Sequence, residues 1–254
     1  MIDGGVLDGI DLAVMTHPGG ADQCDVTTLS RVALDIDFTG RASHAAASPE
    51  LGLNALDAAT LSLTAIGLLR QQLPDDVRIH AIITDGGQAP NIIPEHTALR
   101  VFVRAASRSE LEERVLPRVE ACFQGAAIAT GCQVTIAQNT PPYYSMISNP
   151  ALVALADAAF DAVGRRERLG AGPAASTDMG NVSQVIPAIH PMIELGPGLV
   201  PHTREFTQNT APGQRASRVI ADGSLALAAV VVAAIRQPAV VAAAQADFSR
   251  QMGR

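Results

Sequence analysis

A chain of 254 residues suits one large or two small domains, on the rough guide of ~150 residues per domain. Its 48% hydrophobic and 17% charged composition, with mean hydropathy +0.20, excludes a disordered or coiled-coil protein. All 18 basic residues are arginine, which reads as coding bias, and a net charge of −7 with pI near 5.3 argues against nucleic acid or an anionic membrane as partner.

The opening Met1-Ile2-Asp3-Gly4-Gly5 lacks the basic-then-apolar order of a secretory signal. Cys24, Cys122 and Cys132 are odd in number and unclustered, which argues against a disulfide framework or a cysteine-built zinc site. A cytoplasmic protein with buried spare thiols is expected. The apolar run Leu225 to Ile235 is too short to cross a membrane and reads as a core helix.

In chain order, Ile10 to Met15 reads as a short buried strand running into the turn Thr16-His17-Pro18-Gly19-Gly20. Val32, Leu34, Ile36 and Phe38 then alternate as in a half-buried strand. A helix is predicted over 51–72, with Leu53, Leu56, Ala59, Leu63, Ile66 and Leu69 as its apolar stripe and Pro74 as its stop. Strands over 77–84 and 97–104 flank a Gly/Pro loop. A second helix over 109–128 opens on Ser109, with Glu112 at capping-box spacing, and a strand over 132–137 follows. The order β-α-β-β-α-β is the ferredoxin-like arrangement.

After Pro141-Pro142 the pattern changes. A helix over 149–163 precedes Gly170-Ala171-Gly172-Pro173, and a Gly/Pro-punctuated stretch up to Thr210 reads as a functional loop region. An alanine-rich helix over 212–236 ends the series. The expected organisation is α/β, with 30–140 inserted into a second domain made of 1–29 and 141–254.

Four of the six histidines lie in loop contexts. His17 follows the first strand, where open α/β sheets place their sites, and His202 sits in the rigid turn Gly196-Pro197-Gly198-Leu199-Val200-Pro201-His202. Imidazole is the commonest metal ligand, but spacing alone leaves ligand and structural roles open for both, as for His44 and His190. His80 and His96 read as surface residues. No G-x-S-x-G, P-loop or strand-linked G-x-G-x-x-G occurs, so serine-hydrolase, nucleotide-hydrolase and Rossmann chemistries lack their motifs. Glu112-Glu113 reads as solvated.

Taken together, several motifs resemble one family. They are Asp11-Leu12-Ala13-Val14-Met15-Thr16-His17-Pro18, Phe38-Thr39-Gly40-Arg41-Ala42-Ser43-His44-Ala45-Ala46, and Gly86-Gly87-Gln88-Ala89-Pro90-Asn91-Ile92-Ile93-Pro94. Ser176-Thr177-Asp178-Met179-Gly180-Asn181 and Pro201-His202-Thr203-Arg204-Glu205-Phe206 complete the set. The chain resembles the dinuclear zinc metallopeptidases and amidohydrolases of the M20 type, which include aminoacylases, folate-cleaving carboxypeptidases and aminobenzoyl-glutamate hydrolase. With Ile189-His190-Pro191, it looks most like the aminoacylase-like dipeptidase branch.

The resemblance implies that His17 and His202 each bind one of two zinc ions, although manganese or cobalt would suit the same ligands. It implies that His44 and Asn91, on an inserted lid and dimerisation domain, reach the partner's active site in a homodimer and hold the scissile carbonyl. Asp178 and His190 take a supporting or substrate-binding role. The implied reaction is metal-assisted hydrolysis of an amide in a small N-acyl-amino-acid or dipeptide-like substrate. The family's first metal motif, bridging carboxylate and Glu-Glu pair precede the matched region, so the chain is expected to be the C-terminal portion of such an enzyme. The alternative is an inactive, truncated dimerisation module.

Overall fold

The computed structural model describes residues 2–166 and 175–253, so the Gly170-Ala171-Gly172-Pro173 turn lies outside the described residues. The chain opens with β1 (Ala13–Val14) and β2 (His17–Gly19). It continues through β3 (Ser30–Thr39), α1 (Ala55–Leu69), β4 (Arg78–Asp85), β5 (His96–Ala105), α2 (Leu116–Thr130) and β6 (Gln133–Tyr143). Then follow α3 (Pro150–Ala162), α4 (Met179–Ser183), β7 (Ala188–Ile189), β8 (Met192–Glu194), α5 (Arg204–Thr210), α6 (Gln214–Arg236) and α7 (Pro238–Gln251). Contacts divide it into two units, Met1–Leu29 with Tyr144–Arg254, and Ser30–Tyr143.

The Ser30–Tyr143 unit is an antiparallel sheet in the order β4-β5-β3-β6, with α1 and α2 packed together against it. This is the expected ferredoxin-like topology. The alternation in β3 does what it predicts: Val32, Leu34, Ile36 and Phe38 are buried, with Leu99, Val101 and Val103 of β5 beside them. From the helical layer, Val119 and Phe123 join this core, and the Phe38 and Phe123 rings stand 6.5 Å apart. On the other face of the sheet Arg100 pairs with Asp35 across β5 and β3, beside the exposed Ile82 of β4.

Helix boundaries differ from the sequence reading for local reasons. α1 starts at Ala55 rather than near 51, because Asn54 Oδ1 caps the N–H groups of Leu56 and Asp57 while Pro49–Leu51 forms a separate 3-10 turn. Its buried face runs through Ala55, Ala58, Ala59, Ser62 and Ile66, and Leu53, Leu63 and Leu69 pack at its margin. Ser109 is not the cap of the second helical segment. Ser107 Oγ accepts the Glu110 N–H at 3.1 Å, and Glu112 is held by Arg108 instead of closing a capping box. The last strand runs on through Pro141 and Pro142 to Tyr143. Among the described residues β6 pairs only with β3, at the sheet edge, so a missing N–H costs no ladder bond on its open side.

The other unit holds two short parallel pairs, β1-β7 and β2-β8, over a core shared with α3, α6 and α7. Leu152, Phe160, Ile189, Ile193, Phe206, Val219 and Val230 are buried in it. His17 does not follow a continuous strand; it starts β2, separated from β1 by Met15 and Thr16. The stretch read as a long loop region contains α4, β7, β8 and α5. A further helix, α7, begins at Pro238 directly after α6, where proline is tolerated in a first helical turn. The run Leu225–Ile235 is only partly core. α6 buries Ala226 and Val230, but Leu225 is 61% and Ile235 76% exposed, and by length and composition the helix could cross a membrane.

Candidate functional site

Two groups of predicted residues are brought together, one in each unit. In the Ser30–Tyr143 unit, the antiparallel pairing of β3 with β5 continues beyond Thr39 and His96 into the two loops that follow and precede them. Gly40 donates to the Glu95 carbonyl at 2.8 Å, Ile93 to Ser43 at 2.9 Å, and Ala45 to Asn91 at 3.0 Å. His44 and Ile92 form an antiparallel bridge. Gly40 allows this path, because a Cβ there would collide with the Leu53 carbonyl oxygen. A cleft of about 410 Å³ opens along these loops, lined by Ala45, Asn54, Gly87, Ile92 and Pro94 among others.

The imidazole of His44 has its tautomer set by the backbone. Its Nδ1 lies 3.2 Å from the Ala46 N–H and 3.1 Å from the Ala47 N–H, both of which donate to it. An acceptor at Nδ1 leaves the proton of the neutral ring on Nε2, available as a donor. Both His44 and Asn91 are exposed. The pair of loops therefore presents an imidazole N–H and a carboxamide.

In the other unit, β1 and β7 keep the same register as β2 and β8: Ala13 pairs with Ala188, Val14 with Ile189 and His17 with Met192. His190 and Pro191 lie between β7 and β8, so His190 and His17 stand on adjacent parallel paths. Their rings are 5.7 Å apart, tilted by 48°. His17 is exposed, and its Nδ1–H donates to the Pro18 carbonyl at 2.8 Å, which leaves the Nε2 lone pair free. His190 is buried, and its Nδ1 has no hydrogen-bond partner among the described residues. Burial pushes its imidazole down to about 4, the neighbouring His17 adds to that, and Asp178 opposes it. A neutral His190 beside His17, with Asp178 near, is thus one cluster.

His202 stands apart from that cluster: among the described residues no hydrogen bond, ion pair or ring contact joins it to His17 or His190. Its φ of 66° makes it the one described non-glycine residue in the left-handed region. Thr203, next along, caps α5 through Oγ1 to the Phe206 N–H at 3.1 Å and fixes the turn. Such backbone strain is found where a side chain must be aimed.

Whether these residues suit a metal can be judged from their donors. His17 has the orientation of a ligand, with its second nitrogen held by a carbonyl. Among the described residues, however, no group of three His, Cys, Asp or Glu side chains converges, short of the about three protein ligands that a catalytic zinc takes. The described residues do not by themselves fit a complete metal site.

Residues 28–128 match the peptidase dimerisation domain of M20-type peptidases. The chain belongs to the M20-type peptidase family. This M20-type chain is 35% identical over 256 residues to Xaa-Arg dipeptidase of Mus musculus, which covers 98% of this chain and 58% of that protein. It is 34% identical over 132 residues to one of the p-aminobenzoyl-glutamate hydrolase polypeptides of Escherichia coli (strain K12), over 51% of this chain and 27% of that protein. The crystal structure of an aminobenzoyl-glutamate utilization protein from Klebsiella pneumoniae shares the fold, with TM-score 0.65 and 21% identity, over 91% of this chain and 57% of that one. The chain spans little more than half the length of the dipeptidase and of the Klebsiella pneumoniae protein.

One residue that sequence reasoning passed over is placed at the neck of the Asn91 loop. His96, read as a plain surface residue, contacts Asp37 at 3.0 Å and Asp85 at 3.1 Å. Those carboxylates lie 59 and 11 residues away, so only strand pairing reveals them.

Proposed function

We propose that this chain serves in the hydrolysis of an amide or peptide bond in a small N-acyl-amino-acid or dipeptide-like substrate, with His44 and Asn91 holding the scissile carbonyl. The observation that carries the reading is the state of His44. With Nδ1 accepting from two backbone N–H groups, its outward donor is Nε2–H, on a loop laced to the one that bears Asn91. Donors held in place before reaction stabilise the oxygen on which charge develops. The similarity to a dipeptidase and to an aminobenzoyl-glutamate hydrolase supports this substrate class.

His17, His190 and Asp178 form the second element of the reading. His17 offers Nε2 as a lone pair, and His190, neutral and buried beside it, together with Asp178 binds the substrate or orients the cluster. Zinc, or manganese or cobalt in its place, would supply the Lewis acid; of the two histidines proposed to hold metal, His17 keeps Nε2 as a lone pair and His202 sits in the turn before α5, and further ligands would be required. Assay of the purified chain against dipeptides and N-acyl amino acids, with and without added zinc, tests the reading. Zinc-dependent turnover upholds the reading, and none from a folded, zinc-supplemented chain overturns it for this polypeptide.

A second reading is a dimerising module without turnover of its own. The dimerisation-domain match favours it, together with the edge strand β4, where Ile82 is 62% and Ile83 43% exposed. It predicts a homodimer formed through the Ser30–Tyr143 unit, with weak metal binding. A monomer by light scattering at micromolar concentration would count against it.

A further inference from the structure

The loop that carries Asn91 leaves the sheet at Asp85 and re-enters it at His96. Three side chains meet at that neck. His96 Nε2 lies 3.0 Å from Asp37 Oδ1 on β3, and His96 Nδ1 lies 3.1 Å from Asp85 Oδ2 on β4. Both carboxylates stand in register with Ala98, on the two strands that flank β5. Asp85 gains that place through a register shift between Ile83 and Asp85, and a bulge of this kind re-aims a side chain. Its other oxygen, Oδ1, accepts the Gly87 N–H at 3.0 Å, so one carboxylate grips the first turn of the loop and the residue where the loop ends.

We propose that Asp37, His96 and Asp85 form a positioning clamp that fixes the 86–95 loop, and thereby Asn91 and His44, in the geometry the candidate site needs. The inference rests on the reading of His44 and Asn91 as site residues. The coupling is physical: the held loop is bonded to the His44 loop through Ile93 to Ser43 and Ala45 to Asn91. His96 itself touches no reacting atom and acts through its neighbours.

Global stabilisation does not account for the arrangement. The three side chains are 46–51% exposed, and ion pairs that open to water contribute little. Both ring nitrogens face carboxylate oxygens, which only accept, so the full clamp needs the imidazolium. The two carboxylates raise the His96 pKa, the Asp37 hydrogen bond first. The charged groups around it are Asp37 on β3, Asp85 on β4 and Glu95 on the loop.

Amide hydrogen exchange on the full chain tests the clamp without any need for turnover. In His96→Ala, exchange at Gly87, Ala45 and Ile93 should quicken by about tenfold, while Val101 and Val103 in the core stay as they were. His96→Gln keeps one donor and should restore part of the protection. Raising the pH through the His96 titration should loosen the same three amides in the wild type and leave His96→Ala unchanged, after correction for intrinsic exchange. Equal acceleration throughout the unit, or none at the loop, overturns the clamp. A loosened loop with undiminished turnover in a preparation that cleaves a dipeptide upholds the clamp and overturns His44 and Asn91 as the site, so the two failures are distinct.

Discussion

The Ala45 N–H donates to the carbonyl of Asn91 at 3.0 Å, joining two loops that lie 46 positions apart in the sequence. Because His44 directly precedes Ala45, this bond ties both donors of the candidate site to one frame. The frame is an extension of the β3-β5 ladder, not an independent loop structure.

If His44 stabilises a developing oxyanion through Nε2–H, its loss acts on turnover. His44→Ala should lower kcat by about 10²–10³-fold in a preparation that cleaves a dipeptide, the range for loss of one such donor. Metal content by elemental analysis should not change. Stripped metal would make His44 a ligand instead.

Gly40 is required by space. A methyl group there meets the Leu53 carbonyl, which is itself bonded to the Arg41 N–H at 2.9 Å. Gly40→Ala should destabilise the Ser30–Tyr143 unit by about 1–3 kcal/mol, as overpacking does. Denaturant unfolding with an unchanged midpoint would show that the loop shifts freely.

His190 gives a pH dependence with a definite sign. Its folded pKa of about 4 lies below the ordinary 6.5, so between these values the unfolded chain binds the proton and the folded one does not. Stability is therefore fully present above about 6.5 and falls on acidification, by about 3 kcal/mol in all near pH 4. Urea titrations at several pH values, compared with His190→Gln, should show a slope that the variant lacks. The His96 clamp has the opposite sign: its raised pKa makes its contribution present at low pH and lost as pH rises through the titration.

Arg165 is held at the centre of a buried network. It reaches Asp22 at 3.0 Å, Asp222 at 2.9 Å and the Glu194 carbonyl at 3.1 Å, and its side chain is only 11% exposed. Among the described residues, Arg165→Ala leaves Asp22 with only the Glu194 N–H and Asp222 with only Arg218 at 3.6 Å, and should cost about 3–5 kcal/mol. Arg165→Ala with Asp22→Asn should recover part of that in thermal unfolding. No recovery would mean that the charge pair is not what holds β2 and β8 in this network.

The ferredoxin-like unit was legible because its signals are local and periodic: alternation in β3, a helical stripe stopped by Pro74, and strands on either side of a loop. The stretch up to Thr210 was not. Its strands are two or three residues long, too short to show a period, and they form only because β1 and β2 supply parallel partners more than 170 positions away. The capping error has the same origin in reverse, since Ser107 and Ser109 offer equal local chemistry and only the path of the chain out of β5 chooses between them.

The sequence by itself determined the order of elements, the buried face of β3 and the residue types available for chemistry. Tertiary structure alone decided which of them share a frame. It placed His17 against His190, set the tautomer of His44 through two backbone N–H groups, and made His96 a bridge between carboxylates on two other strands. The reason is that a side chain's proton, charge and aim depend on atoms brought to it by strand pairing, and pairing is not written at any one position of the chain.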